Sequence, residues 1–438
     1  MKVLYLYMFP LWGNGSGTWI RRQISQLKVM YSKDFQAAIV APESRNFKDA
    51  RIFRLKPPVV GVFVGNPELP DVKKYKNLPH STHFDIYSYY LKKTAAAVEK
   101  FKPDLIHVFH TAFLPPVAKQ ISDFYKVPYV ISTHGSDLYY FKEDPRWVPQ
   151  VRSASLGAKY ITANSNWTRD WYIEMFGKDL SGKMRTIPGG VDNNVDFTRD
   201  VSWIDKKYNF KHDKMVLFTG RLTQHKGVDY LIKAAQQIKA DIVILGDGPE
   251  RTYLESLIVK YKLDNVHMLG YFSQRLGKIN DFYLRADVYV APSVWDEPLG
   301  LVILEAMIHK TPVVVTRKGG VTTVVTDGHN GYLVRPKSAN MIADHVNILL
   351  KDDKLRKKMS ENAYKSVNEK FSWEKISNKF YRVYQRSITK RKASEKPRDS
   401  IILSAIKKFK ELRDEADTSV PDLLAGPANV NEVLPPIL

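Results

Sequence analysis

Cysteine is absent from this chain of 438 residues. Its absence excludes disulfide bridges and thiolate metal sites. The sequence also lacks an apolar run long enough to span a bilayer, and its apolar start, residues 1–7, is too short for the hydrophobic region of a signal peptide. We therefore expect a cytoplasmic protein, either free or held peripherally on the cytoplasmic face of a membrane.

Acidic residues are in deficit, with 46 Asp and Glu against 67 Lys and Arg, a formal net charge of +21. Such a charge attracts polyanions, which include nucleic acids, anionic membrane surfaces and phosphorylated substrates. The sequence carries neither a zinc-finger spacing nor an RNP-type aromatic pattern, so we expect no nucleic-acid partner. An anionic membrane surface and a merely solvated basic surface stay open as alternatives.

Apolar runs alternate with helical patterns along the chain, which predicts an α/β fold with parallel, doubly wound sheets. The predicted strands of the first half are 3–8, 37–40, 51–55, 104–109, 127–132, 160–162 and 184–187. Those of the second half are 215–219, 241–245, 266–269, 286–292, 312–316 and 332–334. The helical patterns include 18–30, 87–101, 116–125, 167–176, 227–238, 250–261, 275–284, 301–308 and 338–371.

A break in this alternation predicts two Rossmann-like domains that face each other across a cleft. The residues Pro-Gly-Gly-Val-Asp at 188–192, with the polar stretch up to 213, are typical of a hinge. We place the domains at 1–190 and 191–372. An amphipathic crossover helix at 373–388 is expected to return to the first domain. A charged linker, an amphipathic helix at 399–415 and a loose tail are expected within 389–438.

Two glutamates, Glu297 and Glu305, flank the predicted start of a helix that follows strand 286–292. Pro298 suits a first helical position, so the backbone N–H groups of 299–301 would point into the crevice at the end of the strand and bind an anion. Eight residues at 100° per residue place the two acids about 80° apart around the axis. A nucleotide-sugar, with a central phosphate and hydroxyls at both ends, fits this pattern. Two unrelated surface acids would give the same spacing.

Two glycine-rich turns follow predicted strands. Residues 13–17, Gly-Asn-Gly-Ser-Gly, suit close approach to an anion or a sugar, and their spacing differs from the dinucleotide motif, so NAD is not indicated. Residues 220–227 carry Arg221 and Lys226, whose guanidinium fork and ammonium together suit a diphosphate. Either cation alone is more often a surface residue.

His134 follows a buried strand of the first half at the edge of the crevice. A histidine in this position is a candidate for contact with a leaving group or a sugar hydroxyl. A structural histidine is the ordinary alternative.

Taken in order, these motifs resemble the retaining family 4 glycosyltransferases (glycosyl transferases group 1) of the GT-B fold, over residues 1 to about 384. The resemblance rests on the glycine turn at 13–17, His134-Gly-Ser-Asp137, Asn164-Ser165 with Arg169, 187–192, Gly220-Arg221-Leu222, Lys226-Gly227, 246–249, Gly319-Gly320, 327–331 and, above all, 297–305, which is similar to the E-x7-E motif of the family.

The resemblance implies a role for each site residue. His134, Arg221, Lys226 and Glu297 form the implied catalytic set, with His134 near the transferred sugar. The implied donor-binding set is Gly15, Gly17, Gly220, Arg221, Lys226, Glu297, Leu299, Gly300, Leu301 and Glu305. Within it, Arg221 and Lys226 would bind the diphosphate, and Glu305 the ribose hydroxyls. Glu297 and the backbone of 299–301 would bind the sugar.

The implied activity is retaining transfer of a sugar from a nucleotide-sugar to a hydroxyl of a lipid-linked or growing glycan, without a metal or another cofactor. A soluble acceptor and a nucleotide-sugar epimerase on the same fold are the alternatives. Where the family usually carries Pro-Glu after its two glycines, this chain has Val-Thr-Thr at 321–323, which leaves the identity of the donor open.

Overall fold

The computed structural model describes residues 1–63, 73–272 and 278–388. The strands are β1 Lys2–Leu6, β2 Gln36–Ala41, β3 Arg51–Arg54, β4 Leu105–Phe109, β5 Tyr129–Thr133, β6 Tyr160–Ala163, β7 Met184–Thr186, β8 Met215–Thr219, β9 Asp241–Leu245, β10 Val266–Gly270, β11 Val288–Ala291, β12 Val313–Thr316 and β13 Tyr332–Val334. The linker, helix and tail predicted for 389–438 lie outside the described residues.

Helices alternate with these strands. They are α1 Gly15–Met30, α2 His80–Phe101, α3 Leu114–Tyr125, α4 Ser136–Glu143, α5 Val148–Gly157, α6 Asn166–Phe176, α7 Trp203–Tyr208, α8 Val228–Ala235, α9 Arg251–Lys260, α10 Lys278–Arg285, α11 Leu301–Ile308, α12 Ala339–Lys351, α13 Asp353–Lys370 and α14 Trp373–Ser387. Among the helices of the described part, none has the length and the apolar character needed to cross a membrane.

The strands form two parallel sheets, and this confirms the predicted fold class. The first sheet has the order β3-β2-β1-β4-β5-β6-β7 and the second has the order β10-β9-β8-β11-β12-β13. We call each sheet with its helices the first or the second domain. The order reverses beside β1 and beside β8, where α/β sheets bind ligands at the carboxyl ends of their strands. The glycine turns at 13–17 and 220–227 follow these two strands.

The central strands are buried on both faces, as expected for parallel sheets covered by helices. Local signals fix the helix starts. The side chain of Asn14 accepts a hydrogen bond from the backbone N–H of Gly17 at 2.7 Å, so α1 begins at Gly15, three residues before the predicted start. The same kind of cap at Asp352 separates α12 from α13 within 338–371, the stretch where helices are predicted to fill most of the chain.

The start of α11 differs from the prediction. Pro298 precedes the helix by three residues, and Gly300 serves as the N-cap with φ of 84°. Only glycine adopts this left-handed conformation without strain, so the chain turns into the helix at Gly300 rather than at the proline. Glu297 therefore lies in a loop, and the 100° per residue relation to Glu305 does not apply to it.

The polar stretch before 213 is also more ordered than a plain hinge. It contains the short helix α7, whose Ile204 is completely buried in the core of the second domain. Trp203 donates a hydrogen bond from its ring nitrogen to Asp281 of α10 at 3.0 Å. These contacts attach α7 to the second domain. The sequence of this stretch contains few apolar residues, so it gives little indication of them.

The final helix, α14, packs against α1 of the first domain. Its buried face contributes Trp373, Ile376, Phe380 and Tyr384 to the core around β1. The chain thus runs from the helices of the second domain to the core of the first through α14. The domain boundaries at 190, 372 and 388 stay predictions.

Candidate functional site

A cavity of about 740 Å³ lies between the two domains, where the loop after β1 approaches α11. Its volume is within the range of about 300–1,000 Å³ that is usual for small-molecule sites. Its walls include Trp12, Gly15, Trp19 and Arg21 from the first domain and Leu301, Glu305 and His309 from the second. Three of the predicted donor-binding residues, Gly15, Leu301 and Glu305, therefore meet at one cavity.

The carboxylate of Glu305 is held by a buried tyrosine. The hydroxyl of Tyr283 donates a hydrogen bond to Oε2 of Glu305 at 3.0 Å. The same hydroxyl lies 2.7 Å from Oγ1 of Thr219, at the end of β8. Burial and the nearby charge of Glu305 raise the pKa of Tyr283 well above its ordinary value, so it is a neutral donor. No local pattern in the sequence indicates Tyr283, because its contact with Glu305 joins α10 to α11 across the fold.

The two glycines of the first turn differ in their roles. Apart from its chain neighbours and the backbone of its own helix, no atom lies within 4 Å of the position that a Cβ of Gly15 would occupy, so this residue leaves open space at the cavity. A Cβ at Gly17 would lie 2.4 Å from the carbonyl oxygen of Leu11, and the Gly17 N–H already bonds to Asn14. Gly17 is therefore required by the fold of the turn, and its N–H is engaged by the helix cap rather than left for a phosphate.

Lys226 and Glu297 form an ion pair away from the main cavity. Nζ of Lys226 lies 2.5 Å from Oε1 of Glu297, which also accepts a hydrogen bond from Oγ of Ser293 at 2.7 Å. Burial would raise the pKa of Glu297, but the charge of Lys226 and these hydrogen bonds outweigh it and lower the pKa. The carboxylate is therefore ionised and satisfied within the protein.

The space beside this pair is small. A cavity of about 10 Å³ is lined by Lys226, Glu297, Gly300 and Val321, and this volume is at most enough for one water molecule. Glu297 and Glu305 thus line different cavities in this structure, in contrast to the shared crevice expected from their spacing. The apolar Val321 lies where the motif departs from the family pattern.

The backbone N–H groups of 299–301 are predicted to bind an anion, and two of them have no acceptor among the described residues. No hydrogen-bond acceptor within the described residues is paired with the N–H of Leu299 or Gly300. Leu301 starts α11 and lines the main cavity, whereas Gly300 lines the small one. Their amides can therefore donate to an anion, at the start of α11 instead of inside the helix.

Gly220 and Arg221 lie at the carboxyl end of β8, outside the walls of both cavities. Arg221 is exposed. Arg221 is therefore close to Lys226 in the sequence, but its side chain does not line the cavity that contains Glu305.

His134 lies behind the cavity wall rather than on it. Its ring contacts the ring of Trp19 edge-on, with centroids 4.7 Å apart, and stacks on Phe109 at 5.2 Å. Burial and the adjacent His110 hold the pKa of His134 well below its usual range, so the ring is neutral. Its Nε2 is buried and has no hydrogen-bond partner among the described residues.

The loop before α11 touches the first domain. The ring of Trp295 stacks on that of Tyr139 in α4 at 4.8 Å, and the Tyr139 hydroxyl donates to the backbone oxygen of Asp296 at 3.2 Å. Trp295 also stacks on His225 at 5.2 Å. This aromatic contact between domains adjoins Glu297, and the local sequence gives no indication of it.

Both halves of the chain match known protein families. Residues 14–195 match a family model described as Glycosyltransferase Family 4, and residues 201–366 match one described as Glycosyl transferases group 1. An uncharacterized glycosyltransferase of Methanocaldococcus jannaschii is 33% identical over 306 residues, which are 66% of this chain and 76% of that protein. The N-acetyl-alpha-D-glucosaminyl L-malate synthase of Bacillus anthracis is 27% identical over 67% of this chain and 77% of its own length.

Solved structures share the fold. A sucrose-phosphate synthase from Thermosynechococcus elongatus superposes with a TM-score of 0.70 at 20% identity and covers 88% of this chain and 98% of its own. The Anabaena protein HepE, solved in complex with UDP, gives a TM-score of 0.69 at 21% identity and covers 88% of this chain and all of its own. Both likenesses concern the two-domain GT-B architecture.

Proposed function

The chain belongs to the group 1, family 4 glycosyltransferases, and from this premise we propose that it transfers its sugar with retention of the anomeric configuration to a glycan acceptor at a membrane surface. That it is a glycosyltransferase acting on nucleotide-sugar substrates follows from the family itself. The direction of the stereochemistry, the acceptor and the roles of single residues are the proposal.

The observation that carries the assignment of the donor site is the position of Glu305. Its carboxylate, fixed by Tyr283, lines the same cavity as the open backbone at Gly15. A carboxylate accepts hydrogen bonds from the vicinal hydroxyls of a ribose, and unobstructed glycine backbone allows a phosphate to come close. A nucleoside diphosphate therefore has a binding group for each of its polar parts.

We assign Lys226 and Glu297 to the reacting end of the donor. In the structure these side chains neutralise each other, and the space beside them is too small for a sugar. A donor diphosphate offers Lys226 a second anionic partner, so its binding would release Glu297 to accept hydrogen bonds from sugar hydroxyls. Arg221, which directly follows Gly220 at the carboxyl end of β8, supplies a further cation.

The chemistry then needs little beyond placement and charge. The bond from the anomeric carbon to the phosphate oxygen breaks, and a bond forms to the acceptor oxygen on the same face. The acceptor proton passes to the departing phosphate, while Lys226, Arg221 and the amides at the start of α11 stabilise the developing charge. Because protein cations can fill this role, we propose that transfer proceeds without a metal ion and continues in EDTA.

Two observations bear on the acceptor. The net charge of +21 favours an anionic membrane surface, and with it a lipid-linked acceptor. The relative named for N-acetyl-α-D-glucosaminyl L-malate synthesis has a small product in its name, which makes a soluble acceptor the second candidate.

The test is transfer by Glu305→Ala and Lys226→Ala with the donor that the wild type uses. Each variant should lose at least about 100-fold in activity, because each loses a group that binds the donor or stabilises the leaving phosphate. Glu361→Ala and Lys233→Ala are matched controls, since these side chains form surface pairs with Lys310 and Asp229 and should leave transfer unchanged.

Full turnover in both site variants would contradict the assignment. An epimerase would convert the donor without an acceptor, so release of free nucleoside diphosphate only when an acceptor is present separates the two activities. The configuration of the new bond, read by NMR, decides between retention and inversion.

A further inference from the structure

His309 lies one helical turn after Glu305, at the end of α11, and lines the same cavity. Its Nδ1 is 2.7 Å from the backbone oxygen of Glu305. A carbonyl oxygen only accepts hydrogen bonds, so Nδ1 carries the ring proton of the neutral imidazole. The other ring nitrogen, Nε2, is therefore a hydrogen-bond acceptor.

The packing of His309 leaves this acceptor available. One ring face stacks on Tyr283 at 5.3 Å with an angle of 23°, and Nδ1 is engaged by the backbone. Nε2 has no hydrogen-bond partner among the described residues, and it is not one of the fully buried polar atoms that lack a partner. It is therefore accessible from the cavity that His309 lines. Burial lowers the pKa of His309, although the bond to Glu305 and the charge of Asp281 oppose this effect, and the ring is held neutral.

Tyr283 thus positions two acceptors together. It donates to the carboxylate of Glu305 and supports the ring of His309, and residues four apart lie on one face of a helix. Neither group can donate a hydrogen bond in this arrangement. Their ligand must therefore supply donors at two neighbouring positions, as the vicinal hydroxyls of a ribose do.

We propose that His309 is a donor-binding residue, whose Nε2 accepts a hydrogen bond from a ribose hydroxyl of the nucleotide beside the carboxylate of Glu305. This inference rests on the proposed function, because it takes a nucleoside diphosphate as the occupant of the cavity. It adds a contact that the motif at 297–305 does not contain.

The test is calorimetric titration of the full chain with UDP, GDP and ADP, followed by the 2′-deoxy and 3′-deoxy forms of the one that binds most tightly. His309→Phe keeps an aromatic ring against Tyr283 but removes the acceptor. It should bind the parent nucleotide about fivefold more weakly than the wild type, the effect of one hydrogen bond. The wild type should bind one of the two deoxy forms about fivefold more weakly than it binds the parent nucleotide. His309→Phe should bind that deoxy form as tightly as it binds the parent.

His345→Phe is the matched control. The Nδ1 of His345 also bonds to the carbonyl four residues earlier, that of Met341, at 2.8 Å, and its ring packs on Tyr332 at 4.8 Å, away from the cavity. This variant should bind the nucleotides as the wild type does. Thermal unfolding of each ligand-free variant is recorded, and His309→Ala, with the same expected result, replaces the phenylalanine variant if that protein does not fold.

The outcomes separate the two claims. Equal binding of the parent by the wild type and the His309 variant overturns this inference alone. An equal loss on the parent and on both deoxy forms also overturns it, since the ring would then act elsewhere than at a ribose hydroxyl. No binding of any of the three nucleotides by the wild type overturns the proposed function together with it.

Discussion

The ion pair of Lys226 and Glu297 is the residue-scale feature that most changes the interpretation of the site. Both residues are proposed to bind the donor, yet in the structure each satisfies the other at 2.5 Å. The Lys226 side chain retains 25% of its exposure and that of Glu297 only 11%. Under the proposed assignment, a diphosphate would meet the more exposed lysine first and displace the carboxylate, so that phosphate binding would be coupled to sugar binding.

The pair also predicts how stability depends on pH. The pKa of Glu297 is lowered in the folded protein, so its contribution is present above the ordinary value of 4.5 and is lost as the pH falls through the lowered value. At pH 7 the free energy of unfolding should therefore be lower for Glu297→Gln than for the wild type, and this difference should shrink as the pH falls below about 4.5. Urea unfolding of both proteins at pH 7 and below about pH 4.5 measures the difference.

Lys226→Met serves as the reference background for that experiment. Without the lysine, the Glu297→Gln change should no longer destabilise the protein at pH 7, because the carboxylate has lost its main partner. A difference that persists unchanged in this background would show that Ser293 and the backbone, not the ion pair, lower the pKa of Glu297.

At the scale of elements, α14 connects the end of the second domain to the core of the first. The hydroxyl of Tyr384 lies within hydrogen-bond distance of three buried groups: the Tyr5 hydroxyl at 3.2 Å, Gln23 Nε2 at 3.0 Å and His107 Nδ1 at 2.6 Å. His107 continues to Ser132 of β5 at 2.7 Å. One side chain of the last helix thus satisfies polar groups on three separate elements of the first domain.

Tyr384→Phe should destabilise the protein by about 1–3 kcal/mol, because it leaves buried polar groups without their partner. Tyr381→Phe is the control on the same helix. The Tyr381 ring stacks on Tyr31 at 3.7 Å, and this contact survives the loss of the hydroxyl, so the change should be within about 0.5 kcal/mol. Denaturant unfolding of both variants checks the difference, and equal effects would contradict the network.

At the scale of the whole molecule, the basic charge belongs to the two domains. Residues 389–438 contain nine Lys and Arg against eight Asp and Glu, so nearly all of the net charge of +21 lies in 1–388. A membrane attraction that depends on charge should therefore reside in the two domains and not in the C-terminal segment.

The corresponding experiment is sedimentation with anionic vesicles of phosphatidylglycerol. The full chain should sediment at low salt and be released as the salt concentration rises, because screening shortens the range of the attraction. A chain ending at 388 should behave in the same way, and neutral vesicles are the control. Failure of the full chain to sediment at low salt would remove the support for a lipid-linked acceptor.

The sequence by itself determined much of the architecture. Apolar runs buried on both faces and glycine turns at strand ends are local patterns, and they predict the parallel sheets and the turns after β1 and β8. The same patterns predict the helix after β11 that carries Glu305. The cap at Asp352 and the left-handed Gly300 are also local, but their effect on helix bounds depends on backbone geometry that the pattern did not reveal.

Only the tertiary structure decided which side chains meet. Lys226 and Glu297 are 71 residues apart and pair with each other, His134 lies behind Trp19, and Tyr283 brings Glu305 and His309 into one acceptor wall. Each contact joins elements that are distant in the chain, so it depends on how helices pack on the sheets and how one domain lies against the other. Periodicity and spacing describe one element at a time, and therefore they place the candidate residues at the cleft without assigning their partners.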